Sequence, residues 1–144
     1  MALNQFSRTQ LLLGQESMDL LANATVAVFG IGGVGGYTVE ALARSGVGHF
    51  VLVDDDKVCL TNINRQIIAT RSSVGKYKVD VMKERILDIN PKAEVEVYKC
   101  FYLPENADDF DFSKYSYVVD ARKYQSGAIV VHDNQGSALE KILF

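Results

Sequence analysis

The chain is poor in cysteine, in basic charge and in long apolar runs, and each shortage removes a class of function. Cys59 and Cys100 are its two cysteines in 144 residues; they are too few and too far apart for a disulfide framework or a zinc site, which fits a reducing compartment. Lysine and arginine total 15 against 18 aspartates and glutamates, a formal charge of −3. No basic field therefore exists to condense onto DNA or anionic lipid, and any RNA contact has to come from local patches. The short N-terminal apolar run at 11–13 has polar flanks and no export-type cleavage pattern, and nothing approaches a membrane span. Together these absences predict a cytoplasmic protein with no membrane partner. Repeats, low-complexity tracts and linkers are missing too, so one domain over 1–144 is expected.

What is present reads as alternating strands and helices around a real core, with 48% of residues hydrophobic and 23% charged. Residues 8–22 place Leu11, Leu12, Met18 and Leu21 at roughly helical spacing, interrupted by Gly14, which predicts one or two short helices. A β-rich run at 25–29, a helical stretch at 33–45 and a second buried-type strand at 49–53 make a βαβ unit ending at Asp54. Residues 75–90 carry Val79, Met82, Ile86 and Ile89 on one side of an amphipathic helix that Asn90-Pro91 stops. A third strand follows at 94–101 and a fourth at 115–119, ending at Asp120. The alternation predicts an α/β fold, a Rossmann-like parallel sheet with helices on both faces. Beyond it, 128–131 reads as an edge strand and 137–143 as a helical turn or two.

The stretch "VAVFGIGGVGGY" breaks from an apolar strand into a glycine-dense turn and resumes as a helix. Gly30, Gly32 and Gly35 form G-x-G-x-x-G in the context that gives that pattern physical meaning. Without Cβ atoms, backbone N–H groups reach phosphate oxygens, and the helix N-terminus adds partial positive charge. A tight, closely packed turn is the plain alternative; the density of glycine, Gly33 included, favours a phosphate cradle. Asp54, at the end of the next strand, stands where an acid accepts hydrogen bonds from ribose hydroxyls. A dinucleotide and ATP fit this much equally well.

The segments "DDDKVCLTNINRQ" and "VGKYKVD" bear on that choice. A triphosphate needs cations to hold it and to stabilise charge on a leaving pyrophosphate, and a nicotinamide enzyme has little use for them here. Arg65 supplies a fork of donors, Lys78 a mobile point charge and Asn62 a neutral donor. Solvated surface charge accounts for such a pair as well, so spacing alone leaves both ligands open.

At these residues the sequence resembles the ATP-dependent adenylating enzymes related to ubiquitin-activating enzymes, the ThiF/MoeB/HesA superfamily. The text that carries the resemblance is "FSRTQLLLG", "GIGGVGG", "LVDDD", "TNINRQ", "VGKYK" and "DINP". Within the superfamily, "VCLTNINRQIIAT" and "YLPENADDF" read like the branch of tRNA threonylcarbamoyladenosine dehydratases. The resemblance implies that Gly30, Gly32, Gly33 and Gly35 form the nucleotide loop and that Asp54 binds the ribose. It implies Asn62, Arg65 and Lys78 at the phosphates and Gln66 as a further nucleotide contact. Arg8 corresponds to an arginine that reaches the neighbouring subunit's ATP, so a homodimer is implied, and Arg8, Arg65 and Lys78 are the implied catalytic residues. The implied chemistry is attack of a carboxylate on the α-phosphate of Mg-ATP, with ATP and Mg2+ as cofactors and tRNA as the substrate. Cys59 and Cys100 match no thioester cysteine of the family and are expected to be packing residues.

The resemblance runs to about Ala121 and then stops. The family continues its fourth strand as Asp-Ala-x-Asp, the second acid helping to bind magnesium, whereas "VVDARKYQSG" puts Lys123 there. A cation at a metal-ligand position reverses the local electrostatics, and Asp120 is left as the candidate metal ligand. The residues after 121 are expected to come from a shifted reading frame or an internal deletion. Against the adenylating enzyme stand an inactive fragment or nucleotide-binding module and, more remotely, an NAD-linked oxidoreductase.

Overall fold

Five residues, Thr25–Phe29, form strand β1, and their alternation decides the architecture: Val26 and Val28 point to one side of the sheet, Ala27 and Phe29 to the other. Both sides are buried, as a central parallel strand requires. In the computed structural model, which describes residues 2–122 together with the strand backbones at 128–132 and 138–143, β1 pairs in parallel with two neighbours. These are β2, His49–Val53, and β4, Tyr117–Asp120; β3, Glu94–Tyr98, pairs in parallel outside β2. Two further strands, β5 at Ala128–His132 and β6 at Ala138–Leu143, extend the sheet antiparallel, giving the order β3-β2-β1-β4-β5-β6.

The expected α/β, Rossmann-like sheet is therefore present, with β1 flanked by β2 on one side and β4 on the other. One face packs on helices α3, Gly35–Ser45, and α4, Lys78–Ile89, through Val39, Ala43, Val79, Met82 and Ile86. The opposite face is covered by the 3-10 helices Pro104–Asp109 and Phe112–Lys114, whose neighbourhood is aromatic. There the Phe29 ring lies 5.1 Å from Tyr102 and 5.4 Å from Phe110, both edge-on, an arrangement aromatic quadrupoles favour.

Two helices precede the sheet: α1, Ser7–Leu13, and α2, Gln15–Asn23, divided at Gly14 as its glycine predicts. Met18 is the one buried residue of α2, and α1 buries none; Leu11 and Leu12 are 88% and 84% exposed. Their apolar spacing thus reports a helix without reporting a core.

Two expectations for the last part of the chain need correction. Residues 138–143 are a strand, not a helical turn, because six residues form few helical hydrogen bonds while the open side of β5 offers a ladder, Ile129 opposite Ile142, with one register shift at Val131/His132. The 128–131 strand is consequently interior, between β4 and β6, and the edge passes to β6. Lys123 lies outside the described residues.

Candidate functional site

The glycine turn joins β1 to α3 at the C-terminal edge of the sheet. Strand order reverses beside it, since β2 and β4 lie on opposite sides of β1, and open α/β sheets bind ligands at such a crevice. Its glycines fall into two pairs. Gly30 has φ +95°, and a Cβ there would stand 2.7 Å from the Ala121 carbonyl oxygen; a Cβ on Gly35 would stand 1.7 Å from the Gly30 oxygen. Those two are required by the fold. Gly32 and Gly33 are not: a Cβ would come no nearer than 3.8 Å to Gln66 Nε2 and 3.7 Å to the Arg65 carbonyl oxygen, ordinary contact distances. Their bareness leaves backbone amides open to a ligand.

Asp54, which follows β2, reaches back under this turn. Its Oδ2 accepts the Ile31 N–H at 2.7 Å and its Oδ1 the Asp56 N–H at 2.8 Å. The carboxylate therefore holds the turn's shape and places a negative charge beside it.

From there the chain runs through a 3-10 helix, Leu60–Asn62. Asn62 is buried, and its Oδ1 accepts the Cys59 N–H at 2.9 Å, while its carbonyl oxygen accepts the N–H groups of Arg65 and Gln66. Asn62 thus shapes the loop that sets Arg65 and Gln66 against the glycines. Arg65 is exposed, with Nη1 donating at 3.0 Å to both the Thr61 carbonyl and Asn64 Oδ1. Gln66 is buried, and its Oε1 is the buried side-chain oxygen without a hydrogen-bond partner among the described residues. The other amide atom, the donor Nε2, is the one that lies beside the turn, 3.8 Å from where a Gly32 Cβ would be.

Lys78 opens α4 and is brought to the same edge by a backbone zipper. Val58 N–H donates to Lys76 O at 2.8 Å, Gly75 N–H to Val58 O at 2.9 Å and Lys78 N–H to Asp56 O at 3.0 Å. Its side chain is buried, and Nζ donates to Asp56 Oδ2 at 3.4 Å, a long contact for a buried ammonium. Asp54, Asp55 and Asp56 present carboxylate oxygens within 4.8 Å of one another. Burial, then the charges of Asp56 and Asp54, push the Asp55 carboxyl above its ordinary range. These acids are the grouping among the described residues with the spacing to share a cation.

On the other flank, Asp120 ends β4 opposite Phe29 of β1. Both of its oxygens face Arg122: Nε donates to Oδ1 at 2.7 Å and Nη2 to Oδ2 at 2.6 Å. Arg122 is further placed by the Tyr102 carbonyl, at 3.2 Å from Nη1, and by the Tyr102 ring, 5.2 Å away. A metal at Asp120 would have to displace a guanidinium.

The structure thus gathers the four loop glycines, Asp54, Asn62, Arg65, Gln66 and Lys78 around one edge, with Asp120 across it. Arg8 stays apart, exposed on α1 and without an ion pair among the described residues. Sequence reading overlooked Arg122, Tyr102 and Asp56. The signal for Arg122 was its spacing, because i and i+2 at the end of a strand share a side. The packing role expected of both cysteines holds for Cys100, which lies against the aromatic cluster; Cys59 is exposed.

Similar proteins share this arrangement of elements. The sequence profile of the ThiF family matches residues 6–122. The tRNA threonylcarbamoyladenosine dehydratase of Bacillus subtilis (strain 168) is 54% identical over 119 residues, 83% of this chain and 47% of that protein. The Escherichia coli (strain K12) enzyme of the same name is 48% identical over 117 residues, 81% of this chain and 44% of that protein. A crystal structure of the Escherichia coli dehydratase in complex with ATP gives a TM-score of 0.81 at 47% identity, over 83% of this chain and 49% of that one. The chain spans about half the length of these relatives. With the family profile covering most of its length and the glycine turn, Asp54 and the Arg65 loop set on one sheet edge, the chain belongs to the ThiF family.

Proposed function

We propose that this chain binds ATP at the glycine turn and serves the adenylation of a carboxylate, that of threonylcarbamoyladenosine in tRNA. The observation that carries the reading is the second pair of glycines. Gly32 and Gly33 lack a side chain where the protein itself has room for one, and the walls beside them are Arg65 and Gln66. A phosphate chain accounts for both facts, because it needs close amide approach and a cation alongside. A dinucleotide would use the amides and, with two phosphate charges in place of four, give Arg65 and the buried Lys78 less to meet.

In this reading Asp54 keeps the turn in shape and takes the ribose hydroxyls on the second lone pairs of its oxygens. Asn62 holds the loop, and Arg65, Gln66 and Lys78 meet the phosphates. The carboxylate oxygen attacks the α-phosphorus, the bond from that phosphorus to the bridging oxygen breaks, and pyrophosphate leaves with its charge opposite Arg65 and Lys78. Catalysis of this kind is positioning and charge stabilisation, with no protein nucleophile required. Magnesium, expected with the triphosphate, meets an Asp120 already engaged by Arg122, and no step is assigned to it.

The relatives named for the dehydratase, and the one crystallised with ATP, support the choice of nucleotide and substrate. A homodimer is part of the proposal. Arg8 has no ion pair among the described residues, and the exposed Leu11 and Leu12 on the same short helix suit a second copy. No helix among the described residues is long and apolar enough to cross a membrane. Action on tRNA in the cytoplasm is part of the proposal. The whole chain is proposed to act as one nucleotide-binding domain.

Calorimetric titration with ATP, with NADH as comparator, tests the reading. Saturable ATP binding that weakens about tenfold in Arg65→Ala is expected, with NADH bound no better than by the variant. Equal binding of ATP by both proteins, or a preference for NADH, would overturn it.

A further inference from the structure

Each negative charge around a phosphate-binding turn must be offset before a polyanion settles there, and the structure shows how this chain does so on the β4 flank. Asp120 is 8% exposed, one hydrogen-bonded strand pair away from the turn, and aligned with Phe29, the residue before Gly30. Left ionised beside bound phosphates it would repel them unless a cation lay between. In this chain that cation is part of the polypeptide. The guanidinium of Arg122 meets the carboxylate as a fork, with two donor distances of 2.7 and 2.6 Å, the paired geometry that makes such contacts strong and directional.

Three additional anchors fix the guanidinium. Its Nη1 donates to the Tyr102 carbonyl at 3.2 Å, its plane lies 5.2 Å from the Tyr102 ring, and its own backbone N–H donates to Asp120 Oδ1 at 3.2 Å. Tyr102 is in turn set by the aromatic face, edge-on to Phe29 at 5.1 Å. The backbone of Arg122 also lies beside the turn, its nitrogen 2.9 Å from where a Gly30 Cβ would be. The pair therefore sits against the cradle, held from both the strand and the aromatic layer.

Two of the three acids of the opposite flank are committed as well. Asp54 accepts two backbone N–H groups and Asp56 faces the Lys78 ammonium. A divalent ion that bridges protein and nucleotide commonly takes one or two protein carboxylates along with the phosphate oxygens. Asp120, the acid expected to supply one, is held by a side chain that carries a charge at every accessible pH.

We propose that Arg122 is the built-in counter-cation of this site, occupying at Asp120 the position a divalent metal would take, so that nucleoside phosphate binds to this chain without one. The proposal rests on the nucleotide reading given above, and the metal-only arm of its test separates the two. Its chemical sense is that a fixed guanidinium neutralises Asp120 beside the turn.

The experiment uses the full chain, Arg122→Ala, Arg122→Lys and the double variant Asp120→Asn/Arg122→Ala, each checked by thermal unfolding. In the first arm, ATP binding is measured by calorimetry in EDTA and in Mg2+. The parent chain is expected to bind within about twofold in the two buffers, whereas Arg122→Ala loses about tenfold in EDTA and recovers with Mg2+. Arg122→Lys, which keeps the charge and loses the fork, is expected in between. In the second arm no nucleotide is present, and Mn2+ alone is titrated and followed by its electron paramagnetic resonance signal. Arg122→Ala is expected to gain one Mn2+ site that the parent chain and the double variant lack, beyond any Mn2+ that Asp54, Asp55 and Asp56 hold in all of them. A parent chain that binds ATP only with Mg2+, or as many Mn2+ sites in the parent as in Arg122→Ala, would overturn the proposal. ATP bound by no protein in either buffer, together with the gained Mn2+ site, would sink the nucleotide reading and support the counter-cation assignment.

Discussion

On the β2 flank of the glycine turn, Asp54 gives both carboxylate oxygens to backbone N–H groups, whereas on the β4 flank Asp120 gives both to the side chain of Arg122. The two acids occupy matching places, each at the C-terminal end of a strand beside β1. Backbone amides shape Asp54 and set no opposite charge against it. A guanidinium cancels the charge of Asp120. The contrast teaches that position at a strand end does not set an acid's role; the group that answers it does.

The largest effect should come from breaking the β2 flank at its turn. Gly35→Ala would push a Cβ to 1.7 Å from the Gly30 oxygen, and is expected to cost about 3 kcal/mol or more in denaturant unfolding. Gly33→Ala meets nothing nearer than 3.7 Å, so stability should hold within about 1 kcal/mol while ATP affinity falls about tenfold. Equal destabilisation by the two substitutions would remove the division between fold glycines and ligand glycines.

Next in size is the support beneath that flank. Glu40 of α3 is buried and ion-paired to Arg85 of α4 and to Arg44, tying together the helices that begin at the turn and at Lys78. Burial alone would raise its carboxyl, but the hydrogen bonds from Arg85 and Arg44 outweigh it and hold the group below the ordinary 4.5. The native state thus binds its proton less readily than the unfolded chain. This stabilisation is present above pH about 4.5 and is lost as the pH falls through the lowered native value. Glu40→Ala should cost about 2 kcal/mol at neutral pH and flatten the fall of Tm between pH 5 and pH 3. An unchanged acid limb would assign the acid sensitivity to other groups.

The smallest effect belongs to the β4 flank. Tyr102→Leu keeps an apolar side chain but removes the ring beneath Arg122, and should cost about 1 kcal/mol. It sharpens the contrast if ATP binding in EDTA weakens slightly while binding with Mg2+ does not.

Much of this was legible beforehand because the signals are local. Strand runs at 25–29 and 49–53, the amphipathic period of α4 and the glycine turn each report on neighbours a few residues apart. Arg65, Asn62 and Lys78 stood out by their donor chemistry, Gln66 and the roles of all four came through the resemblance, and their convergence on one edge follows from the 3-10 loop and the zipper between 56–58 and 75–78. The helical expectation for 137–143 failed because a short segment takes the state its neighbour offers, and β5 offered a ladder. Leu11 and Leu12 show the reverse limit, since a helical period does not say what the apolar side will cover.

By itself, then, the sequence determined the order of strands and helices as far as β4, the glycine turn, and the acids at the strand ends. Those follow from backbone sterics and from periods of two and 3.6 residues, which act over short range. Tertiary structure alone decided which glycines are free for a ligand, which cation answers Asp120 and which face of the sheet is aromatic. Each of those depends on groups far apart in the chain, such as Tyr102 under Arg122 and Arg85 on Glu40, whose meeting is set by packing.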